Sequence, residues 1–280
     1  MKKSTRIIHA VCTVLAAFAI CGIAATIASA TPSTQIWIPS TDIQPYKTVH
    51  LNLDAYVRTG KEDPANLTGA SAGGNLPPMY VIGPTVGVLP FEKLQAEVGF
   101  DLMYGGANTG FGLDKYPLYF HAKVGTPEGS LFKDSPAIAV GGYNFGTKSG
   151  DARKAELATN QNIFYGLVAK TIPVVGRLSA GYFAGNKKVL VKDTVDAGGN
   201  FESDEKGVLL SWDRTLTEIS DKIWVGVDYQ GSKSAVGALN FGVSYAFAKN
   251  VSVILGYDVY NNRKIAGENT VTLQVDINFP

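Results

Sequence analysis

The strongest constraint on the fold lies near the C-terminus, where apolar and polar residues alternate without interruption from Val271 to Phe279. Successive side chains of an extended strand point to opposite faces, so this pattern puts every apolar residue on one face. The other face carries polar groups only, from Thr272, Gln274, Asp276 and Asn278. The pattern therefore predicts a strand with one face against an apolar environment and the other against a polar one.

Alternating segments of about ten residues recur along the rest of the chain, and we count about twelve of them. They cover residues 48–58, 80–88, 94–102, 118–124, 137–145, 163–171, 177–183, 207–214, 223–229, 239–247, 251–260 and 271–279. The connections alternate between tight turns, such as 172–176, and longer loops, such as 59–78 and 185–206. We therefore expect an all-β fold, an antiparallel transmembrane β-barrel of about twelve strands with short periplasmic turns and longer extracellular loops.

A soluble β-sandwich, the main alternative fold, also alternates apolar and polar positions. In a sandwich the apolar faces pack on each other. In this chain aromatic residues recur on the apolar face near the segment ends, where a membrane barrel has its interfacial girdles. The examples are Tyr104, Tyr229, Tyr245, Phe247, Tyr257 and Phe279. Their placement favours the membrane barrel.

Residues 1–30 have the composition of a cleaved secretory signal peptide. Three basic residues precede an apolar run over 11–27, which ends in the small residues 28–30. Both cysteines, Cys12 and Cys21, lie in this segment, so the mature chain would contain no disulfide. Removing the segment changes the formal net charge from +1 to −2, a near-neutral balance that predicts no nucleic-acid partner.

The predicted export signal, the hairpin spacing and the closing strand together make the chain resemble bacterial outer-membrane β-barrel proteins of the porin-like type. The resemblance covers residues 46–280 and rests on pattern, with only the final strand motif-like. It implies one barrel domain in the bacterial outer membrane, in contact with membrane lipid and lipopolysaccharide. It also implies recognition of the last strand by the barrel-assembly machinery, although this chain adds Pro280 after the terminal aromatic.

If the apolar faces meet lipid, the opposite faces line the lumen, and their charged residues are our candidates for a functional site. These lumen-lining candidates are His50, Asp54, Arg58, Glu97, Asp101, His121, Lys123, Asp228, Asp258 and Asp276. Acids are in the majority, which favours a polar pathway for cations or zwitterions. The alternative is that acids and bases pair across the lumen and fill it. Both alternatives stay open, because a twelve-stranded barrel lies between the filled and the open sizes.

Residues 31–45 form a separate segment before the first confident strand. They contain Trp37, Pro39 and Pro45, and the two prolines disfavour one long strand. The segment could fold into the lumen as a small plug or lie at the periplasmic rim. We favour the rim.

The residue pattern indicates no catalytic or cofactor site. The predicted mature chain keeps only His50 and His121, and neither is followed by a serine two residues on. A nucleophilic enzyme needs a base beside its serine and a third group that orients the base. We therefore expect no enzyme, and an outer-membrane esterase or lipase is a remote alternative that would require assembly from separate strands.

Acidic residues cluster in one long loop, where carboxylate oxygens could bind Ca²⁺. They are Asp193, Asp196, Glu202, Asp204 and Glu205. Their spacing has no ligand order and lysines are interspersed, so we interpret the loop as solvated and expect no metal.

The expected function is porin-like passage or uptake of a small polar solute. The alternative is a non-conducting structural or surface-interaction barrel that uses the loops 59–78 and 185–206.

Overall fold

The computed structural model describes residues 33–63, 76–105 and 115–280. The predicted signal peptide, the central part of the expected loop 59–78 and the central part of the connection between the segments at 94–102 and 118–124 lie outside the described residues. The strands are β1 Val49–Arg58, β2 Met79–Gly87, β3 Gln95–Tyr104, β4 Leu118–Thr126, β5 Ala137–Gly146, β6 Asn160–Ile172, β7 Gly176–Ala184, β8 Val191–Val195, β9 Phe201–Ser203, β10 Lys206–Thr215, β11 Ile223–Gln230, β12 Ala238–Ala248, β13 Val251–Tyr260 and β14 Thr270–Phe279.

Twelve of these strands form one closed antiparallel barrel, in which every strand but β8 and β9 pairs with two neighbours. The barrel closes where β1 meets β14, with Val49 opposite Phe279 and Arg58 opposite Thr270. The predicted antiparallel barrel is therefore confirmed. Because the strand number is even, β1 begins and β14 ends at the same end of the barrel, here called the turn end. The opposite end, at Arg58 and Thr270, is called the loop end.

The outward faces of the strands form an apolar belt. In β3, for example, Phe100 is exposed while its neighbours Gly99 and Asp101 face inward, as the two-residue period of a strand requires. Leu255 in the middle of β13 is 54% exposed. Aromatic side chains flank the belt, Tyr104 at the loop end and Phe247 at the turn end. An apolar exterior with aromatic edges is the surface that a transmembrane barrel presents to lipid.

The longer connections at the loop end carry the remaining regular structure. Strands β8 and β9 pair with each other outside the barrel, within the loop predicted at 185–206. A 3-10 turn at Ala152–Lys154 and the helix α1 at Arg263–Ala266 complete the set. Among the described residues, no helix has the length and apolar character to cross a membrane.

Candidate functional site: the barrel interior

Residues 33–44 fold back on themselves inside the barrel, and we call this segment the lumen hairpin. Thr34 and Pro39 form an antiparallel bridge, and the backbone amide of Gln35 donates to the Ile38 carbonyl at 2.8 Å. Ile36 and Ile38 are buried. The apolar residues of this short stretch thus fill space within the barrel rather than facing solvent.

Groups on the inner wall hold the tip of the hairpin. One carboxylate oxygen of Asp228 accepts hydrogen bonds from the backbone amides of Ile36 and Trp37, at 2.8 and 2.9 Å. The Trp37 indole donates to the Val236 carbonyl in the β11–β12 connection, at 2.9 Å. Val236 lies at the loop end, so the tip of the hairpin extends through the lumen from the turn end toward the loop end. The rim position that we favoured from sequence is therefore wrong, because the backbone amides at the tip bind Asp228 on the inner wall and the indole reaches Val236 at the loop end.

The base of the hairpin is fixed by charged residues. The Lys123 ammonium donates to the carbonyls of Ser33 at 3.1 Å and Ser40 at 3.3 Å, and it lies 3.2 Å from the Glu97 carboxylate. The Glu97 carboxylate also accepts a hydrogen bond from the backbone amide of Gln44 at 2.7 Å. These two lumen candidates thus bind the chain's own backbone, and each partly satisfies the charge of the other.

A second ion-pair group joins the hairpin to the opposite wall. The Arg177 guanidinium lies between the carboxylates of Asp42, at 2.5 Å, and Asp213, at 2.9 Å. Gln35 donates to the same Asp213 oxygen at 3.0 Å. Together these contacts anchor both arms of the hairpin near the turn end.

The wall provides room for the hairpin through a residue without a side chain. Gly242 faces inward on β12, and a Cβ built there would lie 2.9 Å from the Ile36 side chain. That separation is tighter than ordinary van der Waals contact. The glycine therefore lets Ile36 pack directly against the strand.

A cavity of about 180 Å³ remains beside the lumen hairpin, on the side formed by β14 and β1–β6. Four predicted candidates border it with carboxylates: Asp54, Glu97, Asp101 and Asp276. Three more border it with basic groups: His50, His121 and Lys123. The structure thus brings these candidates to one space, although they come from four different strands.

Most charges along the cavity have a partner of opposite sign. His50 Nε2 lies 3.4 Å from Asp276, and His121 Nε2 lies 3.8 Å from Asp101. Asp54 differs, because its Oδ2 atom accepts a hydrogen bond from the Asn52 amide at 3.2 Å, while its Oδ1 atom is buried with no hydrogen-bond partner among the described residues. Pairing and open polar space therefore coexist in this lumen.

A glycine also shapes the acidic part of the cavity. A Cβ built on Gly83 would lie 2.1 Å from an oxygen of Asp101 and 3.1 Å from the Asn52 side chain. Any side chain at this inward position of β2 would occupy the space that these groups use. Because Gly83 has no side chain, the Asp101 carboxylate can extend over β2 toward Asn52 and Asp54 on β1.

Aromatic and thioether groups supply the rest of the lining near the loop end. The Trp37 and Tyr56 rings meet edge to face with centroids 5.7 Å apart, and both border the cavity. Tyr143 and Tyr165 also line the cavity. The methionines Met79 and Met103 also line the space.

The sequence analysis did not select these aromatic and thioether residues. Tyr56 could have been found, because it shares the inward-facing alternate positions of His50 and Asp54 on β1.

The other three candidates lie inside the barrel but outside the cavity lining. Asp228 binds the tip of the hairpin, as described above. Asp258 accepts a hydrogen bond from Thr270 at 2.6 Å. Arg58 lies over the Tyr260 ring at 5.3 Å and pairs with Glu62 at 3.7 Å.

The two histidines are not arranged as the base of a nucleophilic enzyme. His50 contacts Asn278 through Nδ1, at 3.1 Å, and Asp276 through Nε2. Thr85 Oγ1 and Asp101 both approach the same nitrogen of His121. A catalytic histidine needs its nucleophile and its orienting acid on opposite nitrogens, and neither histidine has that arrangement within the described residues.

Three of the acidic loop residues bind different partners. Asp193 pairs with Lys264 at 3.2 Å, Glu202 pairs with Lys192 at 3.0 Å, and Asp196 accepts the Gly198 amide in its own turn. In the described part of the chain, no group of three or more histidine, cysteine or acidic side chains is placed to hold a metal ion.

Comparisons with known proteins give structural similarities only. No protein-family model and no curated protein matches the sequence. An outer membrane channel from Pseudomonas putida F1 is similar at 12% identity and a TM-score of 0.48, over 91% of this chain and 100% of that one. The KdgM porin is similar at 8% identity and a TM-score of 0.48, over 82% of this chain and 99% of its own. The NanC porin is similar at 13% identity and a TM-score of 0.43, with coverage of 82% and 99%. These similarities assign no solute to this chain.

Proposed function

We propose that the chain is an outer-membrane barrel that passes small polar solutes through a lumen narrowed by its own hairpin. The observation that carries the proposal is the cavity of about 180 Å³ between the lumen hairpin and strands β14 and β1–β6. A barrel sealed for a purely structural role would need no polar space beside a packed hairpin. The apolar belt supports a position in a membrane, where a polar interior has a use as a pathway.

The extent of the lining supports a pathway rather than a shallow surface pocket. Along β1 the lining runs from His50, near the turn end, to Tyr56, near the loop end. At about 3.3 Å per residue this is about 20 Å of strand. Because the strands of such a barrel are tilted by about 40°, this length corresponds to about 15 Å of depth, which is more than half of the apolar band of about 25 Å.

The charge of the lining favours cationic solutes. Four carboxylates border the cavity, against Lys123 and two histidines. Lys123 is held by Glu97 and by hairpin carbonyls, so its charge is largely satisfied. The remaining field is acidic, which attracts cations into a narrow polar pore.

Conductance tests the proposal. The purified barrel in a planar bilayer is expected to give small, cation-selective current steps, with the reversal potential under a KCl gradient displaced toward the potassium equilibrium value. Folding is checked beforehand by heat-modifiable migration in detergent. A folded barrel that inserts and gives no steps above baseline would defeat the proposal.

A non-conducting barrel is the second candidate, and the contacts of the hairpin favour it. Ile38 is fully buried, Lys123 donates to carbonyls of both arms of the hairpin, and Arg177 pairs with Asp42. Strands β8 and β9 would then present the loop end to a partner. The same conductance measurement separates the two functions, because this candidate predicts no steps.

A further inference from the structure

We propose that the cavity is a binding site for a small organic cation, with an ammonium group held by Asp54 and its apolar part held against Trp37 and Tyr56. This inference rests on the proposed function in that it names the solute class for the same cavity. Equilibrium binding and conduction are separate measurements, so that either can fail alone.

The acidic side of the site contains a carboxylate oxygen that the protein itself leaves without a hydrogen bond. Asp54 Oδ1 is buried and has no hydrogen-bond partner among the described residues, and the side chain borders the cavity. A buried carboxylate oxygen without a donor is costly. Asp101 also borders the cavity, and its 3.8 Å approach to His121 leaves it weakly paired. A ligand that carries positive charge in the cavity would offset the negative charge of both carboxylates.

The apolar side of the site distinguishes an organic cation from a hydrated metal ion. Trp37 and Tyr56 present aromatic rings to the cavity, and Met79 and Met103 add polarizable thioethers. Aromatic faces attract ammonium groups, with tryptophan the strongest of them. A hydrated inorganic cation would gain little from these walls, and the described side chains form no metal-ligand cluster.

The volume limits the size of the ligand. The cavity measures about 180 Å³, and an engineered cavity of about 150 Å³ in another protein is large enough to bind benzene. An organic cation slightly larger than benzene therefore fits. Choline meets this description, and 3,3-dimethylbutan-1-ol is its neutral counterpart of nearly the same shape.

Isothermal titration calorimetry of the barrel, extracted from membranes in dodecyl maltoside, compares these two ligands. We expect choline to bind and the neutral alcohol to bind more weakly by at least about tenfold, which corresponds to about 1.4 kcal/mol. Equal binding of the two ligands would overturn the proposal, because charge would then play no part. No binding of choline to the folded barrel would also overturn it.

Variants assign the binding to named residues. Asp54→Asn keeps the shape and removes the charge, and it is expected to weaken choline binding about tenfold. Asp258→Asn is the matched control, because Asp258 is an interior aspartate outside the cavity. Tyr56→Leu should weaken binding about fivefold, and Tyr56→Phe should restore it by keeping the ring. If Asp54→Asn and Asp258→Asn had the same effect, the assignment to Asp54 would be wrong.

Two outcomes separate this inference from the proposed function. A barrel that conducts but binds no choline keeps the pathway and loses the organic-cation site. A barrel that binds choline and never conducts keeps the site and loses the pathway. If Asp54→Asn does not fold, the comparison of the two ligands on the unmodified barrel still decides the question.

Discussion

Trp37 and Asp228 are 191 residues apart in the chain, and a 2.9 Å hydrogen bond joins the Trp37 backbone amide to the Asp228 carboxylate. The same carboxylate accepts the Ile36 amide and is itself held by Asn240 at 2.6 Å. An interior acid thus satisfies two amides at the tip of the lumen hairpin. Docking of the hairpin therefore depends on this carboxylate.

Removing the Asp228 carboxylate should release the hairpin. Hydrogen bonds to a charged group contribute about 1.5–3 kcal/mol each, so Asp228→Ala should destabilise docking by about 3 kcal/mol and raise the undocked population about 100-fold. The readout is the maleimide labelling rate of an Ile38→Cys barrel, because Ile38 is fully buried in the docked state. Background from the native cysteines is measured on the parent chain.

A second interior aspartate provides the control for this experiment. Asp258 binds Thr270 and makes no hydrogen bond to the hairpin among the described contacts. Asp258→Ala should leave the Ile38→Cys labelling rate unchanged. Fast labelling of Ile38→Cys with Asp228 intact would show that the hairpin is not docked as described.

The ion-pair group at Arg177 should contribute measurably to stability. Arg177→Met leaves the carboxylates of Asp42 and Asp213 without their shared cation, and we expect a loss of about 2 kcal/mol in the free energy of unfolding by urea in lipid vesicles. Arg214→Met is the control, because Arg214 pairs with the exposed Glu218, and surface pairs contribute under about 1 kcal/mol. Similar losses for both variants would contradict the anchoring role of Arg177.

The outward belt should not tolerate charge. Leu255→Arg in the middle of β13 should destabilise the inserted barrel by about 2–4 kcal/mol, since the guanidinium would face the hydrocarbon core. Val195→Arg is a matched control, because Val195 is 55% exposed against 54% for Leu255 but lies on β8 outside the barrel. Urea unfolding in vesicles measures both. Equal effects would mean that the belt does not face lipid.

One loop carboxylate should titrate unusually low. The Arg153 guanidinium donates to both oxygens of Asp151 and lowers the pKa of that carboxyl from 3.8 to about 2. Because the folded pKa lies below the unfolded value, the stabilisation is complete above about pH 4 and is lost as the pH falls through about 2.

The carboxyl ¹³C chemical shift of Asp151 reports this titration. The midpoint should lie at about pH 2 and rise toward 3.8 in Arg153→Gln. Lys154→Gln should move the midpoint much less, since Lys154 acts only through its charge at longer range. A midpoint of 3.8 in the unmodified barrel would show that the Arg153 pair does not form.

The strand arrangement was largely predictable because a strand exposed to lipid on one face must alternate residue by residue. The segments expected at 251–260 and 271–279 agree with β13 and β14 within one residue. The sequence pattern did not predict strands β8 and β9. This short pair lies outside the barrel and lacks the continuous apolar face by which the barrel strands were recognised. Their residues read as a solvated acidic loop.

The interior was predictable only in part. The two-residue alternation along each strand places Asp54 and Asp101 on the inner wall. It does not predict which charged side chains pair with each other. The position of the lumen hairpin depends on contacts such as Ile36 with Asp228, 192 residues apart in the chain. No local pattern encodes such a contact, and the prolines indicate only that residues 31–45 do not form one long strand.

Conductance with and without the lumen hairpin tests the central claim most directly. The unmodified barrel and a variant lacking residues 33–44 are compared in planar bilayers, after heat-modifiable migration has confirmed that both fold. We expect small cation-selective steps for the unmodified barrel and steps several times larger for the variant, because residues 33–44 lie inside the lumen and their removal would widen it. Equal conductance of the two, or no conductance in either, would contradict a pathway narrowed by the hairpin.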